Sequence, residues 1–263
     1  MSKVLNVALI QTALVWENPK ENRRLLNEKI NTVNSGVDLF VLPEMFTSGF
    51  TMNPSLVAET MEGETLSWLK EKAKEKNAVM LGSLVITENG NFYNRMVCVE
   101  PSGAVTCYDK RHTFTLAGED KVYTAGTEKV IFNYKGWKIC PLVCYDLRFP
   151  VWARNVEDYD LLIYVANWPK VRVAAWDALL QARAIENMAY CIGVNRVGLD
   201  GNNYEHSGHS VAYDVLGKRL DQIPEDTETI EVVTLEKAAI KKYRDKLNFL
   251  NDADAFSLKV QTQ

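Results

Sequence analysis

Short apolar segments that end in one reactive side chain most constrain the fold of this 263-residue chain. The segment from Trp137 to Val143 is rich in apolar and β-branched residues, follows Gly136, and is followed directly by Cys144. Its length and its flanking residues predict a buried β-strand. A thiol at the carboxyl end of such a strand lies where α/β proteins usually place their chemistry. A lone cysteine there is nevertheless more often a small buried hydrophobic residue.

Two further apolar segments also end in a chemically useful side chain. Glu44 follows the segment 38–42 and Pro43, and Lys110 follows the segment 104–109. A single charged residue at a strand end is usually a solvated surface group. A thiol, a carboxylate and an ammonium at three strand ends form a more specific set. The sequence therefore predicts that Glu44, Lys110 and Cys144 belong to one site.

The order of the predicted elements indicates an α/β protein. Apolar stripes at helical spacing predict helices over about 18–34, 64–77 and 173–188. A run of hairpins is predicted between residues 79 and 109, with turns at 88–91 and 101–103. Helical crossovers combined with hairpins give a mixed sheet. Since no Gly-, Ser- or Pro-rich linker divides the chain, we expect a single domain over residues 1–263.

Composition excludes several classes of partner. The net charge of -4 and the pI of about 5.6 argue against a nucleic-acid-binding surface. No segment approaches the ~20 apolar residues that a membrane-spanning helix needs, so we expect no membrane partner. The amino terminus lacks the apolar region of a secretory signal. Five cysteines, an odd number, suggest reduced thiols and a cytoplasmic protein.

The three reactive residues and their flanking segments resemble the nitrilase superfamily of carbon–nitrogen hydrolases. The matching segments are 42–44, 108–112 and 144–150, and further agreement comes from 167–169, 183–187, 194–196 and 208–210. The resemblance extends from the first strand to about Phe256. It implies a four-layer αββα sandwich with two mixed β-sheets. It also implies that Glu44, Lys110 and Cys144 are the catalytic residues.

Within that superfamily the chain is most similar to the omega-amidases, which hydrolyse the terminal amide of 2-oxo acids such as 2-oxoglutaramate or 2-oxosuccinamate. Nitrilases typically carry Trp-Glu after the cysteine, whereas this chain has Tyr145 and Asp146. The resemblance implies that Cys144 forms a thioester and that ammonia and a carboxylic acid are released. Glu44 would act as general base and then acid. Lys110 and the backbone N–H of Tyr145 would stabilise the oxyanion.

One carboxylate can serve both steps only if it can take up and release a proton. A lone lysine beside Glu44 would hold that carboxylate ionised, so we expect a second carboxylate to share the charge of Lys110. Glu119 is the candidate, in a loop where family members carry an additional Glu, although a solvated loop acid is an equally open interpretation. The neighbouring Asp120 blurs this assignment.

The substrate is expected to contact residues near the strand ends. The candidates are Phe46, Arg148, Asn167 and Trp168. An arginine suits a substrate carboxylate, but Arg148 is equally expected to support the turn after Cys144. The aromatic residues are alternatively part of the core.

Other functions remain open at this point. A cysteine–histidine enzyme would use His112, His206 or His209 as its base. N-carbamoyl-amine hydrolysis, or hydrolysis of another small aliphatic amide, needs the same three residues. A binding or scaffold protein on the same fold is the non-enzymatic alternative. We expect no metal, because His206 and His209 lack an obvious ligand set, and no organic cofactor. The expected assembly is a homodimer, with the tail from about 245 to 263 among its contacts.

Overall fold

The structure, a computed structural model, describes residues 3–34 and 36–258. Its strands are β1 (Val4–Gln11), β2 (Leu39–Val41), β3 (Val79–Glu88), β4 (Asn91–Val99), β5 (Val105–Asp109), β6 (Phe132–Tyr134), β7 (Trp137–Val143), β8 (Leu161–Ala166), β9 (Tyr190–Asn195), β10 (Val197–Leu199), β11 (Glu205–Ser207), β12 (Val211–Tyr213) and β13 (Thr229–Glu236). Its helices are α1 (Pro19–Thr32), α2 (Pro54–Val57), α3 (Glu64–Lys76), α4 (Pro150–Ala153), α5 (Val173–Asn187) and α6 (Lys237–Leu247).

The strands form two large mixed sheets. In the first sheet the order is β13-β1-β2-β3-β4-β5, and in the second it is β12-β9-β8-β7-β6. The strands β1, β2 and β3 are parallel, and so are β7, β8 and β9. The remaining pairs are antiparallel, and β10 and β11 form a separate hairpin.

The two sheets pack face to face around one apolar core. Leu9 and Val41 of the first sheet and Ile139 and Ile163 of the second belong to the same buried cluster. These side chains leave water on both sides of the interface, which is the main contribution to the stability of a layered domain.

Helices cover the outer face of each sheet. Leu26 of α1 and Leu69 of α3 pack with Phe40 on the outer side of the first sheet. On the second sheet, α5 lies so close to β9 that only glycine fits at position 193. A Cβ atom there would lie 2.4 Å from Leu180 Cδ1 and 2.7 Å from Trp176 Cζ2. The predicted single-domain αββα sandwich with two mixed sheets is thus confirmed.

Candidate active site

The carboxyl ends of strands from both sheets meet at one place. Glu44 follows β2 after two residues, Lys110 follows β5 directly, and Cys144 follows β7 directly. Because β5 runs antiparallel to β4 and β4 antiparallel to β3, the carboxyl ends of β2 and β5 lie at the same edge of the first sheet. The facing end of β7 brings Cys144 to the same edge from the second sheet, where its thiol experiences the charges of Glu44 and Lys110.

Lys110 lies between two buried carboxylates. Its Nζ atom is 3.1 Å from Glu44 Oε1 and 2.8 Å from Glu119 Oε2. Asn94 Nδ2 donates hydrogen bonds to the same two carboxylates, at 2.8 Å to Glu44 and 3.2 Å to Glu119. Exposure is 1% for Lys110 and 0% for each acid, so water does not screen these charges. The cluster of one cation and two anions carries a net charge of about −1 when all three groups are ionised.

The pKa values of the cluster follow from burial and from these pairs. Burial alone would lower the pKa of Lys110, yet the charges of Glu119 and Glu44 outweigh it and raise the pKa. Burial raises the pKa of Glu119 against the opposing charge of Lys110. Burial and the charge of Glu44 raise the pKa of the Cys144 thiol, although Lys110 opposes them. The thiol is therefore protonated at neutral pH, and the neighbouring Glu44 can accept its proton.

The backbone directs Cys144 out of its strand. Its φ of 44° lies in the left-handed region, and a 3-10 turn over Cys144–Arg148 begins there. The sharp reversal places the side chain beyond the end of β7, where it lines a cavity of about 380 Å³. Strain of this kind at a non-glycine residue is typical of functional positions.

The buried carboxylate of Asp146 connects the turn after Cys144 to the segment after Lys110. It accepts hydrogen bonds from the Val143 N–H at 3.0 Å, the Tyr108 hydroxyl at 2.7 Å and the His112 N–H at 3.0 Å. Its Oδ1 atom also lies 2.7 Å from His112 Nδ1. One carboxylate thus ties the two sheets together beside the site.

Three of the four predicted substrate residues, Arg148, Asn167 and Trp168, line the same cavity. The catalytic candidates Lys110 and Cys144 and the supporting Tyr145 also line it. The backbone N–H of Asn167 also donates to Glu44 Oε2 at 2.8 Å, and its side-chain amide donates to the Glu44 carbonyl at 2.6 Å. Asn167 therefore orients the Glu44 carboxylate as well as bordering the cavity.

Phe46 is a correction to the sequence prediction. Its side chain is fully buried in the cluster on the outer face of the first sheet, where it packs against Trp68 and close to Gly82. Met45 adopts a φ of 42°, which turns the chain after Glu44 and breaks the strand-like alternation. Phe50 borders the cavity instead, and its ring lies 5.1 Å from Lys110 Nζ.

Several residues at the site were not singled out from the sequence. Asn94 bridges the two carboxylates, and Phe114 and Arg172 line the cavity. The loop 115–121, which follows Phe114, brings Glu119 to Lys110. Asn94 is a buried polar residue inside β4, and an amide within a largely apolar strand was its available signal. Nothing local distinguishes Arg172 from other loop cations.

The histidines are divided among different surroundings. His206 lines the cavity, whereas His112 contacts Asp146 and His209 Nδ1 lies 3.0 Å from Asp177. Among residues 3–34 and 36–258, no group of three His, Cys, Asp or Glu side chains is arranged to hold a metal ion. In the same part of the chain, no helix combines the length and the apolar character needed to cross a membrane.

Comparisons with known proteins agree on one family. The carbon–nitrogen hydrolase family matches residues 6–245. The omega-amidase YafV of Escherichia coli (strain K12) is 44% identical over 254 residues, which cover 97% of this chain and 98% of that protein. A 2-oxoglutaramate amidase of Bacillus subtilis (strain 168) is 33% identical over 219 residues, covering 81% and 84%. The crystal structure of XC1258 from Xanthomonas campestris, a CN-hydrolase superfamily protein with an arsenic adduct in the active site, superposes with a TM-score of 0.95 at 38% identity and covers 98% of this chain and 100% of that one.

Proposed function

The chain belongs to the carbon–nitrogen hydrolase family and is a hydrolase of amides, and from that premise we propose that it is an omega-amidase. Its substrate would be the terminal amide of a small 2-oxo acid of the 2-oxoglutaramate or 2-oxosuccinamate type, and its products ammonia and the dicarboxylic acid. The observation that carries the proposal is the buried Lys110, held between Glu44 and Glu119 beside the Cys144 thiol. The named activities of the similar amidases support the choice of substrate.

Acylation follows from the protonation states of the site. The thiol of Cys144 transfers its proton to Glu44 as the sulfur attacks the amide carbon, because the raised pKa of the thiol leaves little thiolate beforehand. The ammonium of Lys110 and the backbone N–H of Tyr145 stabilise the oxyanion. Loss of one such donor typically costs about 2.7–4 kcal/mol of transition-state stabilisation. Protonated Glu44 then gives its proton to the departing nitrogen, which leaves as ammonia, and an acyl thioester remains.

Hydrolysis of the thioester reverses the proton transfers. Glu44 takes a proton from a water molecule, whose oxygen attacks the thioester carbon, and the carboxylic acid departs as the Cys144 thiol is restored. Glu119 would make this cycle possible by sharing the charge of Lys110, so that Glu44 is not held permanently ionised by that cation. Asn167 and Asn94 hold the Glu44 carboxylate in place through both steps.

The remaining features of the proposal concern the substrate and the setting. Arg148, exposed and stacked over Trp168 at 5.0 Å from the ring centre, is suited to the carboxylate end of the substrate.

We also propose a cytoplasmic homodimer. The tail from about 245 to 258 would take part in the dimer contact, and residues 259–263, which belong to the same prediction, lie outside the described residues.

Ammonia release across a panel of substrates tests the proposal. The panel contains 2-oxoglutaramate, 2-oxosuccinamate, an N-carbamoyl amine, a simple aliphatic amide and a simple nitrile, and Cys144→Ala serves as the control. We expect the two 2-oxo acid amides to give the largest kcat/KM and the control to release no ammonia. Preference for the N-carbamoyl compound would favour the alternative hydrolase, and no turnover of any compound would favour a binding protein. Wild-type rates in Cys144→Ala would overturn the cysteine mechanism.

A further inference from the structure

Two arginine side chains in the cavity carry charges that no acid in the described part of the chain neutralises. The guanidinium of Arg148 lies over the ring of Trp168, and that of Arg172 lies over the ring of Phe114, at 5.0 and 5.3 Å from the ring centres. Within residues 3–34 and 36–258, the ring contact is the interaction that the structure gives each guanidinium, and neither has a salt bridge or a hydrogen bond there. Stacking on an aromatic face holds a guanidinium in place while leaving its N–H groups free for a planar anion.

Trp168 connects the two arginines. Its ring carries Arg148, and its indole N–H donates a 2.8 Å hydrogen bond to the carbonyl of Arg172. Asn195 fixes Trp168 by binding both its backbone N–H and its carbonyl, at 2.8 and 2.9 Å. A rigid, buried tryptophan thus sets the positions of both cations relative to the end of β8.

The wall that carries Arg172 continues to the nucleophile. Phe114 packs edge-on against Tyr145, with 4.9 Å between ring centres, and Tyr145 follows Cys144 directly. The backbone N–H of Phe114 donates to Glu119 Oε2 at 2.5 Å, which fixes the ring on the side of the lysine cluster. Arg172 therefore lies on the same wall of the cavity as the reacting groups, because Phe114 contacts Arg172, Tyr145 and Glu119.

The other charged groups that line the cavity have partners of their own and form no ion pair with these two cations. Lys110 is already paired with Glu44 and Glu119. Burial lowers the pKa of His206 to about 4, so this histidine is neutral at pH 7. The carboxylate of Asp200 accepts hydrogen bonds from the backbone N–H groups of Asn202 and Tyr204, which fold its own loop. The two guanidiniums are therefore the charged groups of the cavity whose N–H donors are unpaired in the described part of the chain, and they offer a local binding site for an anion.

We propose that Arg172 determines substrate specificity, and that its guanidinium binds together with Arg148 the carboxylate and adjacent oxo group of an anionic amide. This inference rests on the proposed omega-amidase function and assigns the residue that makes the enzyme prefer a charged substrate. A carboxylate and the neighbouring oxo oxygen offer three acceptor atoms at one end of the substrate, which two planar guanidiniums can share. The amide at the other end then reaches Cys144.

Arg172→Met is the decisive variant, because methionine keeps an apolar stem over Phe114 and removes the charge. The measurements are kcat and KM for 2-oxoglutaramate and for pentanamide, a neutral amide with a chain of equal length. A lost hydrogen bond to a charged group corresponds to roughly a 10- to 100-fold change. We expect a decrease of that size in kcat/KM for 2-oxoglutaramate, mainly through KM. The value for pentanamide should stay within about threefold, and Arg172→Lys should recover part of the loss.

Lys170→Met is the matched control. It removes a positive charge two residues away, but Lys170 is paired with Glu205 and Asp226 outside the cavity, so both kcat/KM values should remain near wild type. Binding of 2-oxoglutarate to Cys144→Ala, measured by calorimetry with and without Arg172→Met, gives a second result that does not depend on turnover. We expect Arg172→Met to weaken the binding of 2-oxoglutarate by about the same factor as it lowers kcat/KM for 2-oxoglutaramate.

The possible failures have different signatures. A wild-type enzyme that hydrolyses pentanamide as well as 2-oxoglutaramate overturns the proposed function and this inference with it. A wild-type enzyme that prefers 2-oxoglutaramate, with Arg172→Met keeping that preference and the affinity for 2-oxoglutarate, overturns the role of Arg172 alone. Equal losses for the charged and the neutral amide would show a structural effect and would also overturn it.

Discussion

Both carboxylate oxygens of Glu119 lie within hydrogen-bonding distance of Lys110 Nζ, at 2.8 and 3.0 Å. The lysine is therefore bound more closely by Glu119 than by Glu44, which contributes one oxygen at 3.1 Å. A buried cation that is already engaged by one acid leaves the second acid freer to exchange protons.

Replacing Glu119 by glutamine should slow the reaction without unfolding the protein. Glu119→Gln keeps an acceptor for Lys110 but leaves Glu44 as the only anion beside it, so Glu44 is held ionised and takes up the proton of the Cys144 thiol less readily. Since general acid–base catalysis contributes at least about 100-fold, we expect kcat for ammonia release to fall by that order. Circular dichroism should remain unchanged. The exposed neighbour provides the control: Asp120→Asn should alter kcat less than about twofold, and the reverse pattern would transfer the role to Asp120.

Replacing Glu44 by glutamine should speed the alkylation of Cys144 by iodoacetamide, although it should slow amide hydrolysis. Burial is the main cause of the raised thiol pKa, and the charge of Glu44 adds to it. The alkylation rate of the wild type should therefore keep rising with pH beyond the ordinary thiol range. In Glu44→Gln the pKa of the thiol should fall, with about tenfold more thiolate per pKa unit at neutral pH.

We accordingly expect Glu44→Gln to be alkylated faster than the wild type and to lose most of its amide hydrolysis. Mass spectrometry measures the rate of alkylation. Cys144→Ser corrects for the half-buried Cys107. Slower alkylation in Glu44→Gln would mean that the carboxylate does not hold the thiol protonated.

Asp146→Asn should lower the free energy of unfolding more than the same substitution at a half-exposed aspartate does. An asparagine has one acceptor oxygen in place of two, so donors such as the Tyr108 hydroxyl or the His112 N–H lose their partner inside the protein. Leaving buried donors unpaired costs about 1–3 kcal/mol each. We expect urea unfolding to give a loss of about 2–4 kcal/mol. Asp177→Asn, at a half-exposed contact with His209, should cost less than about 1 kcal/mol; equal losses in the two variants would contradict the role of Asp146.

Stability should fall in mild acid because of His206. Burial lowers its pKa from 6.5 to about 4 in the folded chain, whereas the unfolded chain binds a proton near pH 6.5. Acid therefore favours the unfolded chain between about pH 6.5 and pH 4, and no further contribution from this group appears below that window. The difference amounts to up to about 3 kcal/mol.

His206→Asn should flatten the pH dependence of the free energy of unfolding over this window. The asparagine amide can still donate to the Tyr204 carbonyl that lies 3.0 Å from Nδ1. Urea titrations at pH 7, 6, 5 and 4 measure the effect. Identical slopes for the variant and the wild type would show that other groups cause the acid sensitivity.

The sequence predicted the elements that carry the reactive groups. Strand and helix limits agree to within a few residues: the helix expected over 64–77 is Glu64–Lys76, and that expected over 173–188 is Val173–Asn187. Apolar runs and their polar ends are local features. The common direction of β2 and β5 follows once β3 and β4 pair between them, and that of β7 and β8 follows from their own pairing.

The direction of side chains in the loops could not be predicted from the pattern of apolar and polar residues. Phe46 and Phe50 are equivalent in the sequence, and only the backbone turn at Met45 directs the first into the core and the second to the cavity. The position of the Arg172 guanidinium depends on the ring of Phe114, which is 58 positions away in the chain and contacts Arg172 only in the folded protein. Contacts of this kind depend on loop geometry that no local period encodes.

The left-handed backbone at Cys144 has a consequence for how such a protein can change. Glycine adopts this conformation without the steric cost that a side chain carries, so selection for stability alone would favour glycine over cysteine at position 144. Stability and hydrolysis therefore make opposite demands on this one residue.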